Sequence, residues 1–264
     1  MPRIAVISDI HANLHALCAV IEDVQNVGCT EVVCLGDVVG YCAYPLECLD
    51  YIRSLNCPVV KGNHDAAVVT VSEELAGAAP PPSTERRMNP LARQAMEWTC
   101  SQLDADRLTW LGRLPYTRLV NSKITLVHAC LDQPKQWNYI LNAKDAKVSF
   151  TRQFAPVCFH GHTHVPRVFC WNGRDSEEVY EVREALYTEG VSRFVPTPGL
   201  KYFINVGSVG QPRDNDPRAC YVVYDTDDGS ITFRRVPYDV PAAMEAILQA
   251  GLPKYLADRL ETGC

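Results

Sequence analysis

The sequence predicts an α/β fold, because strand-like and helix-like patterns alternate along the first half of the chain. Short apolar runs at 4–8, at 32–35 and near Val59 are typical of strands. The segments 13–24 and 45–55 between them carry apolar residues at helical spacing. A β-α-β-α-β order of this kind indicates parallel strands whose faces are covered by helices.

Side chains that bind metals follow five apolar runs, always on the downstream side. The runs at 4–8, 32–35, 59–61, 124–127 and 157–159 lead, in turn, into Asp9 and His11, Asp37, Asn63 with His64 and Asp65, His128, and His162 with His164. In an open α/β sheet, ligands bind in the crevice beyond the carboxyl ends of the strands. We therefore expect one site with enough ligands for two metal ions, which suggests hydrolytic phosphate chemistry.

The segment 76–120 interrupts the alternation. Residues 76–89 contain a Gly-Ala-Ala-Pro-Pro-Pro stretch that predicts a loop, and 90–111 carries apolar residues at helical spacing. This segment is either a helical insertion over or beside the rim of the site, or simply another layer of the fold.

The second half is richer in strands. Strands are expected at 167–171, 201–206, 219–225 and 230–236, with a hairpin turn at 226–230 and a surface helix at 241–260. No internal repeat or low-complexity segment is visible, so a single domain over residues 1–264 is the simplest organisation.

Composition excludes several classes of protein. The 264 residues are 47% hydrophobic and 21% charged, which is ordinary for a globular protein. A net charge of -6 argues against a general nucleic-acid or membrane binder. The N-terminus lacks the longer apolar region of a signal peptide, so we expect a cytoplasmic protein. The twelve scattered cysteines form no C-x-x-C pair and are expected to be reduced packing residues.

The order of the polar clusters along the chain, and the apolar strand before each of them, are more specific evidence for a site than any single cluster. Six of the seven histidines belong to the clusters, and each cluster follows an apolar strand. The order D-x-H, G-D, G-N-H-D, a lone His and G-H-x-H resembles the calcineurin-like metallophosphoesterases. The matching residues are Asp9 and His11, Gly36 and Asp37, Gly62 to Asp65, His128, and Gly161 to His164, without a missing ligand.

This resemblance implies a β-sandwich of mixed sheets flanked by helices, with a helical insertion. It implies that Asp9, His11, Asp37 and His164 hold one metal ion. Asp37, Asn63, His128 and His162 would hold a second, with the Asp37 carboxylate bridging the pair. Oxygen and imidazole ligands favour Mn, Fe, Zn, Ni or Co over Ca or Mg, and Mn is expected first.

The resemblance also implies a reaction: a hydroxide that bridges the two ions attacks phosphorus. His64 would protonate the leaving oxygen, and Asp65 would orient its ring and raise its pKa.

Other residues near the motifs have two interpretations each. Asn13 either binds substrate or caps the helix that follows it. Arg213 either steadies a substrate phosphate or forms an ordinary surface salt bridge. Tyr41, Trp137 and Tyr139 either line a pocket for an aromatic leaving group or pack in the core.

The predicted function is hydrolysis of a phosphomonoester or phosphodiester in a small, nucleotide-like substrate. A protein serine/threonine phosphatase and a dinucleoside polyphosphate hydrolase are alternatives within the same chemistry. An inactive binding scaffold of the same fold, or a hydrolase of a non-phosphate substrate, would belong to another class. The sequence does not determine the oligomeric state.

Overall fold

The computed structural model describes residues 2–78, 89–173, 178–182 and 190–264, and its strands form two mixed sheets. The first sheet has the order β2-β1-β10-β11-β8. Its strands are β1 (Arg3–Ile7), β2 (Glu31–Cys34), β8 (Val191–Phe194), β10 (Ala219–Asp225) and β11 (Ile231–Val236). Within this sheet β1 and β2 are parallel and the other pairs are antiparallel.

The second sheet has the order β3-β4-β5-β9-β6-β7. Its strands are β3 (Thr117–Val120), β4 (Ile124–Val127), β5 (Val157–His160), β6 (Arg167–Trp171), β7 (Val179–Glu181) and β9 (Lys201–Asn205). The three central strands, β4, β5 and β9, run parallel. The predicted β-sandwich of mixed sheets is therefore present.

Alternation of side chains along the strands builds the layers. Ile4 and Val6 of β1 pack between the sheets, against residues such as Phe159 of β5. Ala5 and Ile7 of the same strand point to the opposite face, where they pack under helices. Successive strand residues point to opposite faces, so both faces of this strand are covered. Full burial of a side chain like Phe159 stabilises the fold by about 1.5–3 kcal/mol.

Helices cover the outer faces of the sandwich. The first sheet is covered by α1 (Leu14–Asn26), α2 (Pro45–Ser54), α3 (Asn63–Leu75), α4 (Pro90–Gln102) and α5 (Ala105–Arg113). The second sheet is covered by α6 (Ala143–Phe150). Two further helices, α7 (Val240–Gln249) and α8 (Lys254–Thr262), form a smaller cluster with residues that include Ala12 and Cys42.

Two long predicted helices are each broken in two. The predicted helix 90–111 ends after Gln102, because the Asp104 side chain accepts a hydrogen bond from the backbone of Arg107 and starts α5. The predicted helix 241–260 is interrupted at 250–253, where Gly251 has a φ of 70°. Near Val59 only an isolated bridge to Cys34 forms, and most of the loop predicted at 76–89 lies outside the described residues.

The segment 90–113 packs as part of the helix layer. Met96 of α4 and Leu111 of α5 are buried in the same cluster as the helices over the first sheet. The end of α5 also approaches the polar loops, because Lys61 donates hydrogen bonds to the backbone oxygens of Gly112 and Pro115. No described helix has the length and hydropathy needed to cross a membrane, and all twelve cysteines are free thiols.

Candidate metal centre

The polar clusters meet at one edge of the sandwich, although their strands belong to different sheets. The loops after β1 and β2 contribute Asp9, His11 and Asp37 from the first sheet. The loops after β4 and β5 contribute His128, His162 and His164 from the second. The predicted site is therefore built by loops that follow strands of both sheets.

The loops that carry these residues have strained backbones. Asp9, His11, Asp37, His162 and His164 have positive φ, at 54°, 50°, 52°, 69° and 60°. Non-glycine residues rarely adopt this conformation, which costs of the order of 1–3 kcal/mol for each residue. Such strain is typical of functional sites, where the surrounding structure holds side chains in one required direction.

Two carboxylates and three imidazoles form the centre of the cluster. His164 Nε2 lies 3.2 Å from Asp9 Oδ1, and His128 Nε2 lies 3.3 Å from Asp37 Oδ2. His11 Nε2 lies 3.6 Å from Asp37 Oδ2 and 3.2 Å from His164 Nε2. Groups from this set have ligand atoms within 4.8 Å of one another and could hold a metal ion.

Backbone carbonyls orient the three rings. The Nδ1 atoms of His128 and His164 lie 2.8 Å and 2.6 Å from the carbonyl oxygens of Leu35 and Gln211. His11 Nδ1 lies 3.3 Å from a third carbonyl oxygen, that of Val39. A carbonyl oxygen only accepts, so Nδ1 carries a proton, and in the neutral form of each ring Nε2 has its lone pair free for a cation. Metal-binding histidines commonly have a partner of this kind.

Asn63 and His162 complete the predicted set of seven ligands. Asn63 Oδ1 lies 3.0 Å from His128 Nε2. The ring of His162 lies 5.1 Å from that of His128, and its Nε2 lies 2.9 Å from the carbonyl oxygen of Trp137. His162 therefore donates through Nε2 and has only Nδ1 left to bind a metal.

Two glycines allow the loops to approach one another. A Cβ atom on Gly62 would overlap the Asp37 carboxylate, and one on Gly161 would overlap Ser8 and the Asp9 carboxylate. The close approach allows the backbone nitrogen of His64 to donate a 2.7 Å hydrogen bond to Asp37, and that of His162 a 3.1 Å bond to Asp9. One oxygen of each carboxylate is thus held by the backbone, and the other faces the histidines.

Electrostatics at this point favour a cation. Burial alone would raise the pKa of Asp37, but the nearby histidines, His128 first, lower that pKa well below its usual range. Asp37 and Asp9 in turn raise the pKa of His128, although burial opposes its charge. Asp9 Oδ1 is buried and makes no hydrogen bond of good geometry within the described residues. A bound divalent ion would supply positive charge next to both carboxylates, and it would give Asp9 Oδ1 a partner.

The Asp65 carboxylate forms no hydrogen bond with the ring of His64 within the described residues, and its role in orienting that ring stays a prediction. Its carboxylate accepts hydrogen bonds from the backbone nitrogens of Asp37, Val38 and Gly62 at 2.8, 3.0 and 3.0 Å. Asp65 lies in the first turn of α3, where its carboxylate accepts from the backbone N–H group of the N-cap residue Gly62. The same carboxylate also holds the loop that carries Asp37.

The ring of His64 lies beside the metal-binding cluster. It makes an edge contact with His11 at 4.8 Å and lies 4.3 Å from the ring of Tyr41. Its Nδ1 is buried without a hydrogen-bond partner in the described structure. Burial, opposed by the charge of Asp37 and reinforced by that of Arg213, lowers the pKa of His64 to about 4. Asp65 is not among the main causes of this pKa shift.

Asn13 is a structural residue. Its Oδ1 accepts a 3.1 Å hydrogen bond from the backbone of Ala16 at the start of α1, and its Nδ2 donates a 2.9 Å bond to the carbonyl oxygen of Gly210. Only 1% of the residue is exposed, so both ends of the amide are occupied away from solvent. The capping interpretation of Asn13 is confirmed, and the substrate-binding interpretation stays a prediction.

Arg213 lies at the edge of the centre. Its guanidinium carbon is 5.9 Å from the centroid of Tyr41, and its Nη2 donates a 2.8 Å hydrogen bond to the side chain of Gln211. No carboxylate forms an ion pair with it in the described part of the chain. Its Nε is buried and has no partner there, so the guanidinium retains donors for an anion.

The polar loop after β9 supports the centre through two hydrogen bonds of Ser208. Ser208 Oγ donates to the backbone oxygen of Asp9 at 2.9 Å and accepts from the backbone nitrogen of Gln211 at 2.9 Å. The carbonyl oxygen of Gln211 is the one that orients His164.

Comparisons with known proteins identify the family. The model of the calcineurin-like phosphoesterase superfamily domain matches residues 2–229. The chain is 37% identical over 263 residues to the uncharacterized protein MJ0912 of Methanocaldococcus jannaschii, and the match covers 98% of each sequence.

Solved structures share the architecture over the whole chain. A metallophosphoesterase from Sphaerobacter thermophilus is 37% identical and has a TM-score of 0.83, with 100% of this chain and 99% of that chain covered. The hypothetical protein PH1004 of Pyrococcus horikoshii OT3 shares the fold at 18% identity and a TM-score of 0.75, with the same coverage. The chain belongs to the calcineurin-like phosphoesterase superfamily.

Proposed function

We propose that the protein is a metal-dependent phosphoesterase that hydrolyses a phosphomonoester or a phosphodiester. The observation that carries the proposal is the convergence of the Asp9 and Asp37 carboxylates with three imidazole Nε2 atoms that their Nδ1 partners leave without a proton. Together with Asn63 and His162, these residues supply oxygen and nitrogen ligands for two divalent ions, manganese being the first choice.

Two such ions, when bound, lower the pKa of a water molecule and neutralise charge on a phosphoryl group. The chain itself would hold the ligands rigidly, because the Asp37 loop is fixed by Asp65 and the His164 ring by Gln211. Rigid placement matters because a displacement of about 1 Å of reacting groups can cost about 100-fold in rate.

His64 is the proposed donor of a proton to the leaving oxygen. Its ring borders the cluster through His11, and its low pKa reflects burial, which outweighs the opposing charge of Asp37. An anionic phosphoester bound next to the ring would raise that pKa, because a negative charge favours the protonated imidazole. Arg213 is the proposed partner of a phosphate oxygen, since its guanidinium lies beside Tyr41, which contacts His64.

The proposed setting is the cytoplasm, where thiols stay reduced, in keeping with twelve free cysteines. The function is tested with p-nitrophenyl phosphate and bis(p-nitrophenyl) phosphate side by side. Metal-free protein is assayed after addition of Mn²⁺, Fe²⁺, Zn²⁺, Ni²⁺ or Co²⁺, with Ca²⁺ and Mg²⁺ for comparison.

We expect turnover that depends on a transition metal, and we expect Asp37→Asn to abolish it. Asp106→Asn is the matched control, because Asp106 is 73% exposed and its partner is Arg53 on the surface. If no ester is hydrolysed with any metal, and metal analysis finds no bound ion, the protein is a binding scaffold of this fold and the proposal is wrong.

A further inference from the structure

A cleft of about 320 Å³ opens near the candidate metal centre. It is lined by Tyr116 and by the turn 133–136, that is Gln133, Pro134, Lys135 and Gln136. Ligand pockets commonly measure about 300–1,000 Å³, so this cleft has room for one small planar group. None of its lining residues is a predicted metal ligand, so the cleft lies outside the ligand cluster.

Trp137 connects the cleft to the metal centre. Its ring centroid lies 5.7 Å from that of Tyr116 on one side and 5.8 Å from that of His128 on the other. Its carbonyl oxygen accepts from His162 Nε2 at 2.9 Å. Trp137 has φ 54° and ψ 38°, a left-handed conformation that is strained for such a large residue. A group held in the cleft would thus lie one aromatic ring away from the histidines.

Two ammonium groups flank the aromatic wall of the cleft. Lys61 Nζ and Lys135 Nζ lie 5.0 Å and 5.2 Å from the centroid of Tyr116. Lys135 is exposed, and within the described residues it has no ion-pair partner. The Lys135 ammonium group is therefore available to an anionic ligand bound at the cleft.

Packing alone does not account for this combination. Tyr116 and Trp137 are only half-buried, and Gln133 and Gln136 are exposed at the rim of the cleft. Half-exposed aromatic rings provide a stacking surface for a base, glutamine amides can donate to and accept from its edges, and lysine is attracted to a phosphate nearby.

We propose that the cleft between Tyr116 and the turn 133–136 binds the nucleobase of a nucleoside phosphoester whose phosphate lies at the metal centre. The proposal rests on the proposed phosphoesterase function and names its substrate class. Tyr116 would stack on the base, and Trp137 would separate the base from His128.

The test compares adenosine 5′-monophosphate with ribose 5-phosphate, which carries a hydroxyl group in place of the base. The phosphate methyl esters of both compounds are compared in the same way for diesterase activity. The ratio of kcat/KM for the nucleoside compound over the ribose compound should fall about tenfold in Tyr116→Leu, which keeps an apolar side chain without a flat face. Tyr116→Phe, which keeps the flat ring, should have the same ratio as the parent. Tyr180→Ala, at the opposite edge of the same sheet, should keep it.

Binding is measured separately by saturation-transfer NMR with adenosine and metal-free protein. Transfer to the adenine protons should be strong in the parent and in Tyr116→Phe, and weak in Tyr116→Leu. If the esters are hydrolysed but the base changes neither the ratio nor the transfer, the cleft proposal is overturned and the phosphoesterase function stands. If adenosine binds through Tyr116 but no ester is hydrolysed, the cleft is supported as a nucleobase site and the phosphoesterase function fails.

Discussion

The Asp65 carboxylate accepts a 2.8 Å hydrogen bond from the backbone nitrogen of Asp37, the residue that would bridge the two metal ions. The same carboxylate accepts from Val38 and from Gly62, so one side chain joins the loop after β2 to the start of α3. Asp65 therefore holds the loop of a predicted metal ligand and, within the described residues, forms no hydrogen bond with the ring of His64.

Replacing this carboxylate should loosen the ligand loop. In Asp65→Asn, an NH₂ group replaces one of the two carboxylate oxygens that accept from backbone N–H groups. An NH₂ group cannot accept, so at least one buried N–H group loses its partner. We expect the free energy of unfolding to fall by about 1–3 kcal/mol and the bound manganese to decrease. Urea denaturation and metal analysis measure both, and Asp106→Asn should change stability by less than about 1 kcal/mol. Unchanged stability and metal content, with lost activity, would instead support the orienting role predicted from the sequence.

Removing the His64 ring should separate metal binding from catalysis. His64→Ala should keep the parent's metal content and lose about 10²–10⁴ in kcat, the usual contribution of a general acid. His15→Ala is the control, because His15 contacts Tyr44 and lies outside the cluster. His64 also has a ligand atom within 4.8 Å of those of His11 and Asp37. Loss of a metal equivalent in His64→Ala would therefore identify His64 as a ligand and refute its role as proton donor.

A methyl group at position 62 should displace Asp37. The new Cβ of Gly62→Ala would overlap the Asp37 carboxylate and backbone nitrogen, neither of which can move without disturbing the loop. We expect weaker manganese binding, measured by calorimetry. Gly112→Ala is the matched control, since its Cβ would meet only Val69 Cγ1 at an ordinary 3.9 Å and alanine favours the helix. Equal manganese affinity in the two variants would show that the close approach at Gly62 is unimportant.

An ion pair far from the site should determine part of the acid sensitivity. Asp23 of α1 accepts hydrogen bonds from Arg234 Nε at 2.6 Å and from the Tyr221 hydroxyl at 2.7 Å. Burial opposes its ionisation, but these two partners lower the pKa of Asp23 below the ordinary 3.8. A lowered pKa means that the unfolded chain binds the proton more readily. The stabilisation is therefore present above pH 3.8 and is lost as the pH falls through the folded-state pKa.

We expect Asp23→Asn to be less stable than the parent by about 1–2 kcal/mol at pH 7, from the loss of charge-assisted hydrogen bonds. The difference should shrink as the pH falls below about 4. Urea denaturation from pH 7 to pH 3 provides the measurement. A difference that stays constant over this range would rule out ionisation of Asp23 as its source.

Local patterns in the sequence located the strand ends and the polar residues beyond them. An apolar run followed by glycine and a metal-binding side chain is a short-range signal, so Asp9, His11, Asp37 and the later histidines could be identified without three-dimensional information. Helix breaks were harder to predict. The Asp104 cap and the Gly251 turn compete with helical periodicity that continues on both sides, and the start of α3 at Asn63 resembled a loop.

The sequence by itself determined the α/β composition, the order of the polar clusters and the residue types available to bind metals. The tertiary structure decided which sheet delivers each cluster, that Asp65 holds Asp37, that both ends of the Asn13 amide are occupied, and that Tyr116 approaches Trp137. The physical reason is that a polar side chain takes the partner that the packed chain places within hydrogen-bond distance. For Asp65 and for Asn13 that partner lies 28 and 197 residues away along the sequence, beyond the reach of any local pattern.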